Sequence, residues 1–158
     1  KGITKREEAL SLADGGNITG TLASTGAATF SSTVTADVGI QSAAVARTAT
    51  ADGTGTGTIA DGTTFVAVTS GGANTIIKLP TPTPGNVVYL AEAATTGYEL
   101  RTSAPGTVAL NGNSPGSGHE SAIAGAITYV KCVCVSATSW ICSQYDADGD
   151  ESKVEAAA

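Results

Sequence analysis

The 158 residues include no methionine, one histidine, three cysteines and only 4% aromatics. Charged residues make up 14% of the chain, where an average soluble domain carries about 25%. No apolar run approaches the roughly 20 residues of a membrane-spanning helix, and no signal-peptide pattern is visible. Each shortage excludes something. So few reactive side chains leave little from which to build a catalytic constellation. A formal charge of -6 argues against a protein built to neutralise phosphates. Three cysteines leave at least one thiol unpaired in any monomer.

What fills the chain is small: 27 Ala, 24 Thr and 20 Gly. The mean hydropathy is nonetheless positive, +0.12, and β-branched runs punctuate the body, which is the opposite of the composition of disordered chains. The length suits one compact domain with an extended segment, and its core must use small and β-branched side chains.

The order of residues predicts five segments. Residues 1–16 carry five of the 22 charged residues within their first eight positions. Thr4 and Glu7 fit a capping box, which predicts a short helix over 5–13 stopped by Gly15 and Gly16. So short a helix needs a partner surface to be stable. Residues 17–41 read as an extended arm. Ile18, Gly20 and Leu22 share one face, then Phe30, Val34, Val38 and Ile40, while Thr29, Ser31, Thr33, Thr35 and Asp37 share the other. That is the period-2 pattern of a half-buried strand. The arm has too few large side chains for a core of its own, so it is expected to dock on copies of itself about a symmetry axis. Residues 42–57 read as a flexible linker of Ala, Thr and Gly. Residues 58–145 form the body, with strands expected at 63–69, 75–79, 86–91, 98–102, 107–110, 127–135 and 139–145. Seven short strands with no helical pattern between them predict an all-β fold, a sandwich or jelly roll. Tyr98-Glu99-Leu100-Arg101-Thr102 should be half exposed, Val87-Val88-Tyr89-Leu90 central, and Pro80, Pro82 and Pro84 should mark a crossing loop. Residues 146–158 read as an acidic tail of net charge -4.

Several motifs fail on physical grounds. Gly112-Asn113-Ser114-Pro115-Gly116 matches the nucleophile-elbow string, but Pro115 has no N–H to offer an oxyanion. His119 precedes Glu120 without the second histidine of a zinc motif. Asp146, Asp148 and Asp150 suggest a calcium loop, yet the glycine is fourth where the sixth is needed, and Ala157 stands where the glutamate should be. Gly53-Thr54-Gly55-Thr56-Gly57 lacks the lysine of a phosphate loop. Cys132 and Cys134 share a strand face. A four-residue hairpin loop would set Cys142 opposite Val133, and a longer one opposite Cys134. Buried thiols acting as small apolar groups are the leading expectation. No catalytic residue, cofactor or metal site is expected. The four tyrosines look scattered, and Trp140 looks like core.

Two stretches resemble tailed-bacteriophage virion structural proteins. The first is Asn17-Ile18-Thr19-Gly20-Thr21-Leu22 with Thr29-Phe30-Ser31-Ser32-Thr33-Val34-Thr35-Ala36-Asp37, which is similar to the Thr-rich extended segments of fibres and other appendages. The second is the series Ile77-Lys78-Leu79-Pro80, Pro84-Gly85-Asn86-Val87-Val88-Tyr89-Leu90, Val108-Ala109-Leu110-Asn111-Gly112 and the hairpin from Tyr129 to Ile141, which is similar to a small β module of such particles. The resemblance implies a structural, usually trimeric protein on the particle exterior. The expected function is that of a capsid decoration (cement) protein or short head-fibre subunit, a homotrimer bound to the major capsid protein, with neither nucleic acid nor membrane as partner. Lys5, Arg6, Glu7 and Glu8 are expected to pair with charges on the shell, and Ile18, Leu22, Phe30, Val34, Val38 and Ile40 to bury against neighbouring copies or the shell. The alternative is a tail-fibre or adhesin module that recognises a host surface.

Overall fold

The computed structural model describes residues 43–92, 96–114 and 120–154, all within the unit Gln41–Ala158. Among them the fold is all-β, as the alternation predicts. In chain order the strands are β1 (Val45–Thr48), β2 (Phe65–Thr69), β3 (Ile76–Lys78), β4 (Val87–Glu92), β5 (Tyr98–Arg101), β6 (Ala109–Leu110), β7 (Ser121–Ile123), β8 (Ile127–Ser136), β9 (Ser139–Asp146) and β10 (Glu151–Lys153). They form two sheets in a sandwich-like arrangement. The larger runs β1-β2-β4-β8-β9-β10, with β6 also on β9, and the smaller runs β3-β5-β7. Pairings β1/β2, β2/β4, β3/β5 and β6/β9 are parallel and the rest antiparallel.

All seven expected strands are present. Pro80, Pro82 and Pro84 lie between β3 and β4, where the chain crosses from the smaller sheet to the larger. β4 is flanked by β2 and β8, so the Val87–Leu90 run is central. Side chains alternate as the pleat demands. Val66, Val68, Val88, Leu90, Val130, Cys132, Cys134, Trp140 and Cys142 point inward from the larger sheet, and Ile77, Tyr98, Leu100 and Ile123 from the smaller. Trp140 is 0% exposed. Burying each such aliphatic side chain is worth about 1.5–3 kcal/mol.

Three expectations need correcting. First, residues 42–57 are not a free linker. Val45–Thr48 pairs in parallel with Val66–Thr69, and Gly55–Gly57 forms a 3₁₀ turn. This turn segment lies over the outer side of the smaller sheet. A Cβ on Gly57 would stand 2.7 Å from Thr50 Oγ1 and 2.8 Å from the Ile76 carbonyl, and one on Gly53 2.8 Å from Ile76 Cγ2. The glycines therefore serve close packing, not flexibility. Second, the acidic end is not wholly a solvated tail. Glu151–Lys153 pairs with Ser143–Tyr145, and Val154, 0% exposed, belongs to the core. Asp146 Oδ1 accepts the N–H groups of Asp148 and Asp150 at 3.0 Å each, closing the turn between β9 and β10. Third, Cys142 stands opposite Cys132, and the two form a disulfide with Cα atoms 4.2 Å apart. The register differs from both expected ones because Ser136 pairs with Ser139 while Cys134 pairs with Trp140. Val135 is the extra residue, a β-bulge that shifts the hairpin by one position. Cys134 remains a free, buried thiol.

Candidate functional site

The inward residues make the core; the outward residues of the larger sheet make its most distinctive surface. Alternation puts Phe65 and Ala67 of β2, Val87, Tyr89 and Ala91 of β4, Tyr129, Lys131, Val133 and Val135 of β8, and Ile141, Ser143 and Tyr145 of β9 on this side. Register then aligns them across strands. Phe65 stands opposite Tyr89, and Tyr129 opposite Tyr145. Tyr89 is opposite Lys131, one pleat along from Tyr129.

The result is a continuous row of four rings. Phe65 and Tyr89 stack with centroids 5.0 Å apart and planes 15° apart, Tyr89 and Tyr129 at 5.9 Å and 19°, and Tyr129 and Tyr145 at 5.4 Å and 47°. The tyrosines are thus not scattered: three of the four lie in this row, and the fourth, Tyr98, is in the core. Beside the row, Val87, Val133 and Ile141 align across β4, β8 and β9. Phe65 is 40%, Val135 54% and Ile141 46% exposed.

The ring geometry decides what the row can do. Centroids near 5 Å with nearly parallel planes are offset stacks, so the rings stand on the sheet and spend their faces on one another. The ionisation of the Tyr145 hydroxyl is pushed up by burial and then by the Glu151 carboxylate beside it on β10. Burial, then the neighbouring Tyr89 and Tyr145, raise the Tyr129 hydroxyl above its ordinary ionisation range. Such a row ties four strands together, each aromatic pair contributing about 0.5–1.5 kcal/mol beyond area burial. It is not an open platform of ring faces on which a sugar could lie flat.

The outer side of the smaller sheet has the opposite character. Arg101 Nε donates to Glu120 Oε1 at 2.5 Å, and its second terminal nitrogen pairs with the same oxygen. Arg101 NH1 donates to the Asp52 carbonyl at 2.8 Å, tying the 3₁₀ segment to β5. Burial and Glu120 raise the Glu99 carboxyl, partly offset by Arg101.

At the seam between the sheets, Glu92 Oε1 accepts the Gly97 N–H at 3.1 Å. Glu92 Oε2 is buried without a partner, and desolvation raises this carboxyl above its ordinary 4.5. On the far edge a shallow cleft of about 320 Å³ is bordered by Asn111, Ile141, Ser143, Glu151 and Lys153. Asn111 closes its floor. Its Nδ2 donates to the carbonyls of Cys142 (2.8 Å) and Val154 (2.7 Å), and its Oδ1 accepts the Cys142 N–H at 2.8 Å.

Among the described residues no group of three His, Cys, Asp or Glu is placed to hold a metal ion. Ser114 is exposed in its loop. Lys5, Arg6, Glu7, Glu8, Ile18, Leu22, Phe30, Val34, Val38 and Ile40, and with them the expected short helix and extended arm, lie outside the described residues, as does His119. No helix of the described residues is long and apolar enough to cross a membrane. No family model, curated protein or solved structure matches the chain.

Proposed function

We propose that the chain is a building part of a tailed-bacteriophage particle: a capsid decoration (cement) protein or short head-fibre subunit, trimeric, that binds the assembled shell. The observation that carries this reading is the outer side of the larger sheet, which spends aromatic and aliphatic residues where a solitary domain would place charge. It joins the sequence resemblance of residues 17–37 and of the body to virion structural proteins. In this reading the arm, through Phe30, Val34, Val38 and Ile40, buries apolar surface against neighbouring copies and the major capsid protein, at about 1.5–3 kcal/mol gross per side chain. Ordering the arm and losing free rotation oppose that gain. A protein that binds only assembled shell stabilises it by mass action. No enzymatic step is part of the reading.

The test mixes the purified full chain with assembled empty shells and counts bound copies while following the temperature at which the shells break. Many copies distributed over the shell, with a raised breaking temperature, are expected; Phe30→Asp with Val34→Asp should abolish both. Shells that take up no protein would overturn the reading. The second reading, recognition of host-surface glycan by a tail part, is favoured by the aromatic row but opposed by its buried ring faces. A few copies confined to the tail would support it.

A further inference from the structure

We infer that the outer face of the larger sheet, from Phe65 to Tyr145, is a contact surface for a second copy of this chain. Among the described residues the exposed large apolar side chains are Phe65, Val135 and Ile141, and all three lie on this face. Exposed apolar residues scattered singly need no explanation, whereas a contiguous set does. Aromatic enrichment with charge depletion is also the composition of interface centres.

Charge selects the occupant. The chain carries -6 overall, so two copies repel in most orientations. The outward positions of β2, β4, β8 and β9 hold one charged residue before the strand ends, Lys131, and no acid. At the rim, β10 sets Glu151 opposite Tyr145 and Lys153 opposite Ser143; the other acids of the described residues lie at the end of β4, in the smaller sheet, the loops and the 146–150 turn. Face to face is the approach that keeps most of the acids apart, with Glu151 at the rim accompanied by Lys131 and Lys153. A nucleic acid would need a basic face, and a sugar chain would need free ring faces, which the stacking has used. A second copy brings a surface of the same size and flatness, and a two-fold pairing closes on itself, as one sheet packing on another.

Area sets the strength. Four strands at a spacing of about 4.8 Å, each about 17–20 Å long, make a face on the order of 300–400 Å². A stable pair of proteins buries about 800 Å² on each partner. The contact is therefore weak between free molecules and gains weight where copies are held close together. Lys131, central on the face, weakens it further, because its charge must give up water when the face is covered. The inference deepens the reading of the chain as a repeated building part, but its test is independent of any particle.

The test is hydroxyl-radical labelling of the full chain, read residue by residue by mass spectrometry, from about 1 µM to about 1 mM protein. Labelling of Tyr89, Tyr129 and Tyr145 should fall as concentration rises, while Glu99 and Ala122 on the opposite sheet stay constant. Val135→Lys with Ile141→Lys, both at exposed positions, should raise the concentration needed for protection by about tenfold. Lys131→Met should lower it by about threefold. Unchanged tyrosine labelling of the wild-type chain across the range overturns the inference, whatever the variants do. So does protection that appears only on adding shells, which would make the shell the occupant. A chain that decorates shells but shows flat labelling loses this inference alone. One that shows protection but leaves shells bare loses the function proposed above and keeps the contact.

Discussion

The two sheets share one core but treat their outer sides differently. The smaller sheet is finished by its own chain. The 3₁₀ segment covers Ile76, and Arg101 links that segment to Glu120. The larger sheet carries instead a row of rings and an aliphatic patch with nothing of the described chain over them. The first is an outer surface completed within one molecule; the second has the composition of a surface that meets another.

Substitutions can break or sharpen this contrast. The largest effect is expected in the shared core. Trp140→Ala should cost about 3–5 kcal/mol and, in chemical denaturation followed by circular dichroism, melt both sheets in one transition. Two separate transitions would show that the sheets are not one cooperative unit. Trp140→Phe should cost less, because Trp140 Nε1 is buried without a partner and its removal ends an unmet hydrogen bond. Next is the cover on the smaller sheet. Gly57→Ala forces a methyl against the Ile76 carbonyl and should cost about 1–3 kcal/mol, with faster hydrogen exchange at Thr50, Ile76 and Thr58 and little change on β8. The outer faces themselves come third. Tyr129→Ala, which removes two ring contacts, should cost about 1–2 kcal/mol. Glu99→Ala on the other sheet should stay within about 0.5 kcal/mol of wild type. Equal costs would erase the distinction between the faces.

The smallest effect lies at the seam and depends on pH. The Glu92 carboxyl is raised in the folded protein, so the folded state binds its proton more readily than the unfolded one. Stability from this group is present at low pH and is lost as pH rises through and above the ordinary 4.5. Glu92→Gln should therefore raise the denaturation midpoint slightly at about pH 7 and leave it unchanged at about pH 4. An equal shift at both pH values would trace the effect to packing and not to charge.

The strands that could be read from the sequence carry their own β-branched and aromatic residues between clear turn signals, as in Phe65–Thr69, Val87–Glu92 and the Ile127–Asp146 hairpin, or alternate in polarity, as in Tyr98–Arg101. Three strands escaped it and are held by neighbours, among them Ser121–Ile123, which pairs with β5. Val45–Thr48 is two small residues, an arginine and a valine inside an Ala/Thr-rich run, and becomes a strand through its pairing with β2. Glu151–Lys153 is exposed at every position; the buried Val154 after it and the Asp146 turn before it hold it in place. The cysteine pairing escaped because one bulged residue, Val135, changes which side chains meet. The aromatic row escaped for a topological reason: its four rings come from four strands separated along the chain, and only the order β2-β4-β8-β9 makes them neighbours. The arm residues singled out by pattern lie outside the described residues, and the face singled out by the structure draws on none of them.

The side chain of Asn111 fills the interval between β6 and β10 with an amide that gives and receives as a peptide group does. It meets both backbone groups of Cys142, which an incoming strand would otherwise seize. The gap left on β9 between its two short partners is thereby plugged, and the foothold that bare peptide groups give to a foreign strand is absent there.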